Sequence, residues 1–183
     1  LPRSKEERDE LLLQATGRGD PTAFARIVER HQTWAWRVAY RFVGNADEAA
    51  DIVQESFLRL LAASGRYRPE AKFRTFFYRI ISRLCLDRAK KRRPLSSETA
   101  ADAPDPGPGV EDVMMRRETA VAVRAALDAL PPKQRLAIVL RYDENLRYAE
   151  IASALKTSTK AVERLLARGR EQLRSTLGSL KKV

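Results

Sequence analysis

Two basic stretches are the parts of this sequence that could do chemistry, and that chemistry is phosphate neutralisation and base reading. Near the C-terminus, Lys160, Glu163, Arg164, Arg168 and Arg170 fall on one side of a segment whose other side carries Val162, Leu166, Leu173 and Leu177 at helical spacing. In the middle of the chain, Lys72, Arg79, Arg83 and Lys90 stand at offsets of seven, eleven and eighteen, a narrow strip of helix surface. Arg88, Lys91, Arg92 and Arg93 thicken the end of that strip, and Glu70 and Asp87 are the acids that offset it. A strip of this length can track phosphates, each contact adding salt-sensitive affinity. The same charges could also solubilise a helix and favour its C-terminus. The scarcity of acids favours the phosphate reading for the middle stretch.

The elements that position these residues read as helices. Residues 148–174, YAEIASALKTSTKAVERLLARGREQLR, form two helices joined by the turn Lys156-Thr157-Ser158, with Ser158 as N-cap of the second. Ile151, Ala152 and Leu155 make the first one apolar on one side. An amphipathic helix held by a short preceding helix fits a DNA major groove. A helical hairpin with a solvated charged face is the plain alternative.

About eight helices are expected, and strand signals are nearly absent. The first runs from about Lys5 to Thr16. Asp20 and Pro21 restart the chain as N-cap and first helical residue. The second helix carries Phe24, Ile27, Val28, Trp34, Val38 and Phe42 and ends near Gly44. Trp34 and Trp36 point in different directions, so one of them is expected to face outward. Asn45 opens the third helix, with Glu48 as a capping-box partner. Its core stripe is expected to be Ala46, Ala49, Ala50, Val53, Phe57, Leu60 and Leu61. Beside it run Asp47, Asp51, Gln54 and Leu58, which suit a basic protein partner or are simply a solvated face. Arg66 to Glu70 form a loop. The fourth helix, from about Ala71 to Lys91, turns Phe73, Phe76, Phe77, Ile80 and Leu84 inward, with Cys85 as a core filler.

Composition changes after Arg93. Pro94 to Asp112 holds four prolines, two glycines, five acids and no lysine or arginine. PDPGPG at 104–109 cannot form a helix, so the stretch reads as a flexible acidic linker. The fold class is therefore all-α, with two small helical domains at 1–93 and 113–183 joined by the linker 94–112. In the second domain, a helix through Val121, Val123, Leu127 and Leu130 ends at Pro131-Pro132. The next helix carries Leu136, Ile138, Val139 and Leu140, and Asp143-Glu144-Asn145 turns the chain.

The 183 residues carry 35 Lys and Arg against 24 Asp and Glu, a net charge of +11, and nucleic acid is the usual partner of such an excess. An anionic membrane surface is the other one. One cysteine excludes an internal disulfide, and one histidine, His31, leaves no Cys/His zinc cluster. No apolar run reaches the roughly 18 residues of a membrane span, and no secretory signal is expected. A reducing cytoplasm is the expected home. The chain starts at Leu1 rather than methionine, so an upstream piece could be missing. No His/carboxylate cluster, glycine-rich phosphate loop or activated nucleophile occurs at a usable spacing, so an enzyme is not expected.

In order along the chain, these features resemble the bacterial group IV, or extracytoplasmic-function (ECF), RNA polymerase sigma factors. DEAADIVQESFLRLL (47–61) is similar to the core-polymerase-binding helix of sigma domain 2. FRTFFYRIISRLCLDRAKKRR (73–93) is similar to the helix that meets the promoter −10 element. LDALPPKQRLAIVLRY (127–142) and residues 148–174 are similar to domain 4 and its helix-turn-helix.

The resemblance implies core-polymerase binding by Asp47, Asp51, Gln54, Glu55 and Leu58 against the β′ clamp helices, with the β flap as a second polymerase contact. It implies −10 DNA binding by Tyr67, Arg68, Glu70 and Lys72 around a pocket for a flipped base, with Arg79, Arg83, Arg88 and Lys90 on the adjoining backbone. It implies −35 DNA binding by Thr159, Lys160, Glu163, Arg164 and Arg168. The linker would thread toward the polymerase active-centre and RNA-exit channel. An anti-sigma factor is an expected partner; no cofactor, catalytic residue, metal, small-molecule substrate or membrane insertion is expected. The sequence departs from the family pattern in the helix-turn-helix. Lys156 replaces a frequent glycine in the turn. Arg147 replaces a serine, which removes that N-cap. Glu163-Arg164-Leu165 replaces a common K/R-S-R at the reading face.

Overall fold

The computed structural model describes residues 8–68, 72–91 and 110–180, with side chains of the last segment from 118 to 178. Among the described residues the secondary structure is helical, with no strand. Four helices make an N-terminal unit: α1 Asp9–Gly17, α2 Pro21–Val43, α3 Ala46–Ser64 and α4 Phe73–Lys91. The caps explain where they begin and end. Asp20 Oδ1 accepts from the backbone N–H groups of Thr22 (2.9 Å) and Ala23 (3.1 Å), and Pro21 needs no partner at the first position. Gly44 ends α2 at φ 72°, a left-handed conformation that glycine adopts without strain. Asn45 Oδ1 accepts from Glu48 N at 2.9 Å and starts α3. The N-terminus of α4 is held from far away: Glu10 of α1 accepts the Phe73 N–H at 2.9 Å, which suits a carboxylate at a helix N-terminus.

The core of this unit combines aliphatic and aromatic side chains. Leu12, Leu13, Ile27, Val38, Ile52, Leu60 and Ile81 are buried together. Phe57, Phe73 and Phe77 form a tilted ring cluster with centroids 5.0–5.7 Å apart.

Three expectations need correction here. On α3 the buried positions are Ala49, Ile52, Ser56, Phe57, Leu60 and Ser64, whereas Ala46, Ala50 and Leu61 are exposed and Val53 is half-buried. Two serines sit on the inner face because each hydroxyl donates to a carbonyl of its own helix: Ser56 to Val53 O and Ser64 to Leu61 O, both at 2.7 Å. On α4, Tyr78, Ile81 and Ser82 are buried beside Cys85, while Phe76 and Ile80 are half-buried. Neither Trp34 nor Trp36 faces fully outward. Trp34 is half-buried against Phe77 and Tyr78, and Trp36 stacks on Tyr40 at 4.7 Å.

The C-terminal unit comprises α5 Val110–Asp128, α6 Pro132–Ile138, a π-helical turn Val139–Asp143, α7 Tyr148–Leu155 and α8 Thr159–Leu180. Helix α5 takes in residues 110–112, which composition assigned to the linker; the other linker residues, 94–109, lie outside the described residues together with 92 and 93. Val121 and Val123 are exposed rather than core. Leu130, Leu136, Ile138, Leu140, Ile151, Leu155, Val162 and Leu166 form the buried centre. The two units pack on each other, α7 lying along α4, and their buried residues make one continuous apolar cluster.

Candidate nucleic-acid and protein-binding surfaces

Helix α3 presents Asp47, Asp51, Gln54 and Leu58 to solvent on one flank. Leu58 is 54% exposed, a large apolar side chain left among polar ones. Glu55 is half-buried and accepts from Arg59 Nε at 2.8 Å. Asp51 Oδ2 lies 3.0 Å from Arg88 Nη2 on α4. One residue expected to meet protein therefore pairs with one expected to meet DNA, and the two surfaces share an edge. An exposed pair of this kind contributes at most about 1 kcal/mol, so either side can exchange partners.

On α4, Lys72, Arg79, Arg83 and Lys90 are all exposed. Arg83 and Lys90 flank Asp87 at 3.8 and 3.7 Å. Arg79 is engaged: its guanidinium donates to Ser153 O (3.2 Å) and to Ser153 Oγ (3.1 Å from Nε and 2.7 Å from Nη2), both on α7. In the loop before α4, Arg68 is exposed, Tyr67 is buried and Glu70 lies outside the described residues. The Tyr67 ring packs on Phe76 at 5.2 Å, and burial raises its phenol pKa. Tyr67 thus turns its ring inward against Phe76 rather than offering it to solvent.

The helix-turn-helix forms as its sequence suggests. Ser158 Oγ accepts from Ala161 N at 3.1 Å, starting α8. Val162 and Leu166 are buried, and Thr159, Lys160, Glu163, Arg164 and Arg168 are exposed on the outer face. Among the described residues none pairs with Lys160, Arg164 or Arg168. Lys156 turns the chain at φ 49° and ψ 55°, the left-handed conformation for which glycine is favoured. Arg147 has no side-chain acceptor, yet α7 is not left uncapped. Glu150 Oε2 accepts the Arg147 N–H at 2.9 Å, and that bond holds the Glu150 carboxyl below its usual pKa.

A set of residues that sequence spacing does not connect meets between the units. Glu144, at the end of the π turn, accepts from Trp34 Nε1 (2.6 Å) and Tyr78 OH (2.7 Å) and lies 3.8 Å from Arg74 Nη2. Asp143 pairs with Arg41. Arg124 donates to Arg41 O (2.9 Å) and Phe42 O (3.2 Å), and Arg135 donates to Phe42 O (3.1 Å), so two arginines of one unit satisfy the C-terminal carbonyls of α2 in the other. The usable signal was a polar handle, the indole N–H of Trp34 and the phenol of Tyr78, on side chains that pack inward and so need a partner.

Similarity to known proteins follows the same division. The family model for sigma-70 region 2 matches residues 27–94, and that for sigma-70 region 4 matches residues 120–173. The ECF RNA polymerase sigma factor SigW of Bacillus subtilis is 33% identical over 178 residues, covering 89% of this chain and 93% of SigW. The chain belongs to the ECF sigma factors. RNA polymerase sigma-H factor of Pseudomonas aeruginosa is 31% identical and is matched over 96% of both chains. Among solved structures, CnrH in complex with the cytosolic domain of CnrY superposes with a TM-score of 0.71 at 26% identity, covering 93% of this chain and 97% of CnrH. As a sigma factor, the chain works with core RNA polymerase in promoter-directed transcription. No described helix is long and apolar enough to cross a membrane, and the described residues hold no group of His, Cys, Asp and Glu that could bind a metal ion.

Proposed function

We propose that each exposed surface of this sigma factor meets a separate part of the initiation complex. The α3 flank of Asp47, Asp51, Gln54, Glu55 and Leu58 takes the clamp helices of the polymerase β′ subunit. The acids supply charge complementarity to a basic partner, and Leu58 supplies an apolar anchor among them. The strip of Lys72, Arg79, Arg83, Arg88 and Lys90, with Arg68 in the adjoining loop, holds the backbone of opened −10 DNA. Thr159, Lys160, Glu163, Arg164 and Arg168 read the −35 duplex. Glu163 can accept from a cytosine N4 and Arg164 can pair with a guanine, which departs from a basic reading triplet. The observation that carries this reading is the shared edge between α3 and α4, where Asp51 and Arg88 meet: core binding and capture of opened DNA are then neighbouring events on one rigid unit.

The groove of about 360 Å³ between α5, the π turn and α8 suits the polymerase β flap. Val123, Leu127, Tyr142 and Leu173 line it, and Arg170 and Arg174 stand in its wall. The chain divides as domain 2 at 1–93, linker at 94–109 and domain 4 from 110, where α5 begins, acts in the cytoplasm without catalysis of its own, and is restrained by an anti-sigma protein over the polymerase-binding surfaces. Run-off transcription with purified core polymerase tests the whole reading. New start sites appear with the chain and are lost with Asp51→Arg. Unchanged initiation with that variant overturns the α3 assignment.

A further inference from the structure

We propose that the chain closes on itself, with Glu144 as a lock that holds α7 against α4, so that Arg79 in the middle of the −10 surface is masked by Ser153 while the rest of that strip and the −35 surface stay open. The masking half rests on the assignment of α4 to −10 DNA given above; the closure itself does not.

Glu144 is built into the interface rather than placed near it. Its side chain is 10% exposed, and it accepts from two donors on two different helices, Trp34 on α2 and Tyr78 on α4. Both donors belong to the N-terminal unit, 110 and 66 residues away along the chain. Around the lock, each unit completes the other. The carbonyls at the end of α2 are satisfied by Arg124 and Arg135, both also held by Asp128. Gly44 makes room for this: a Cβ there would stand 2.3 Å from Arg124 Cζ.

Closure has a direct consequence for α4. Arg79, in the middle of the basic strip, spends its guanidinium on Ser153 of α7. Ser153 is a neutral acceptor. A phosphate would bind Arg79 more strongly, since hydrogen bonds to an anion are roughly twice as strong as neutral ones. The contact therefore hides Arg79 from weak or transient encounters but yields to DNA positioned by polymerase. The outer face of α8 is untouched, with Lys160, Arg164 and Arg168 exposed.

Removing the Glu144 carboxylate selects against the closed form. In that form the indole N–H and the phenol would be left without their acceptor, whereas in the open form water satisfies both. Leaving buried donors unsatisfied shifts such a balance by about ten- to hundred-fold.

The test uses the full chain and two readouts. Small-angle scattering of the free protein reports closure with no DNA present. Fluorescence anisotropy with a fluorescein-labelled random single strand of about twelve nucleotides reports access to α4. The wild-type chain is compact, Glu144→Ala is expanded, and the variant binds the strand about tenfold more tightly. Glu144→Gln keeps the volume and one acceptor and gives a smaller change of the same sign. Adding Arg79→Ala to Glu144→Ala removes the gain. Circular dichroism with unchanged helix content shows that both units remain folded. Equal scattering of wild type and Glu144→Ala, or an expanded wild type, overturns the lock. Expansion with no gain in strand binding leaves closure standing and overturns the masking. If Arg79→Ala is then also without effect in holoenzyme transcription, the α4 assignment itself has failed.

Discussion

Helices α4 and α8 both carry a basic outer face, yet the folded chain treats them differently. On α4, Arg79 is bound to Ser153, Arg83 and Lys90 lean on Asp87, and Arg88 reaches Asp51. On α8, Lys160, Arg164 and Arg168 are exposed with no partner among the described residues. Similar composition therefore gives one surface that must exchange partners before it can bind and one that is ready. The physical reason is topological. Helix α4 is sandwiched between α3, which brings Asp51, and α7, which brings Ser153, whereas α8 packs inward through Val162 and Leu166 and turns its other side to solvent.

The contrast can be broken hardest at Asp51. Charge reversal, Asp51→Arg, sets two cations against each other where Arg88 now has a partner, and removes an anion from the α3 flank. Retention on core polymerase is expected to fall by about a hundredfold or more, on the scale of a central charged contact in a protein interface. Circular dichroism should be unchanged, because the Asp51 side chain is 64% exposed. Co-purification with polymerase that survives the reversal would remove α3 from the interface.

The readiness of α8 is tested by a pair of substitutions. Arg164→Ala is expected to weaken binding to a −35 duplex by about 1–3 kcal/mol and to relax preference at one base pair. Arg168→Ala should weaken binding across sequences and lower the salt slope by about one. Arg79→Ala should leave duplex binding by the free chain unchanged, because that guanidinium is already engaged, and should reduce promoter opening in holoenzyme by about tenfold. A gel-shift series and a permanganate footprint read these outcomes. Equal losses of free-chain duplex binding from Arg79→Ala and Arg164→Ala would erase the distinction between the two faces.

Much of this molecule was legible in its sequence, for local reasons. Asp20 with Pro21, Asn45, Gly44 and Ser158 act within a few residues of themselves, so their types announce the helix ends that the structure shows. The α4 strip and the outer face of α8 follow from helical spacing alone. What was not legible depends on long-range partners. Ser56 and Ser64 are buried although they fall outside the expected apolar stripe, because apolar count ignores a hydroxyl that can bond back to its own helix. Glu144 read as a turn residue, since nothing near it in the chain shows that Trp34 and Tyr78 converge on it. The π turn at Val139–Asp143 also escaped. Its residues have ordinary helix periodicity, and the extra residue per turn is what carries Asp143 and Glu144 to α2 and α4.

The smallest expected effect concerns the turn that sets the pitch of α8. Lys156 holds a left-handed backbone at φ 49°, where a side chain costs about 1–2 kcal/mol. Lys156→Gly relieves that cost but widens the unfolded ensemble, which takes back roughly 0.5–1 kcal/mol. The net gain is about half to one kcal/mol, or roughly 1–4 °C in Tm for a chain of this size. Lys156 is exposed and outside the outer-face set on α8, so duplex affinity should change little while the melting temperature rises. A fall in Tm would mean that the lysine side chain contributes more to the turn than its backbone costs. A rise in Tm accompanied by a loss of −35 binding would mean that the strained turn sets the approach of α8 to the groove. The open face would then need a fixed angle as well as free cations.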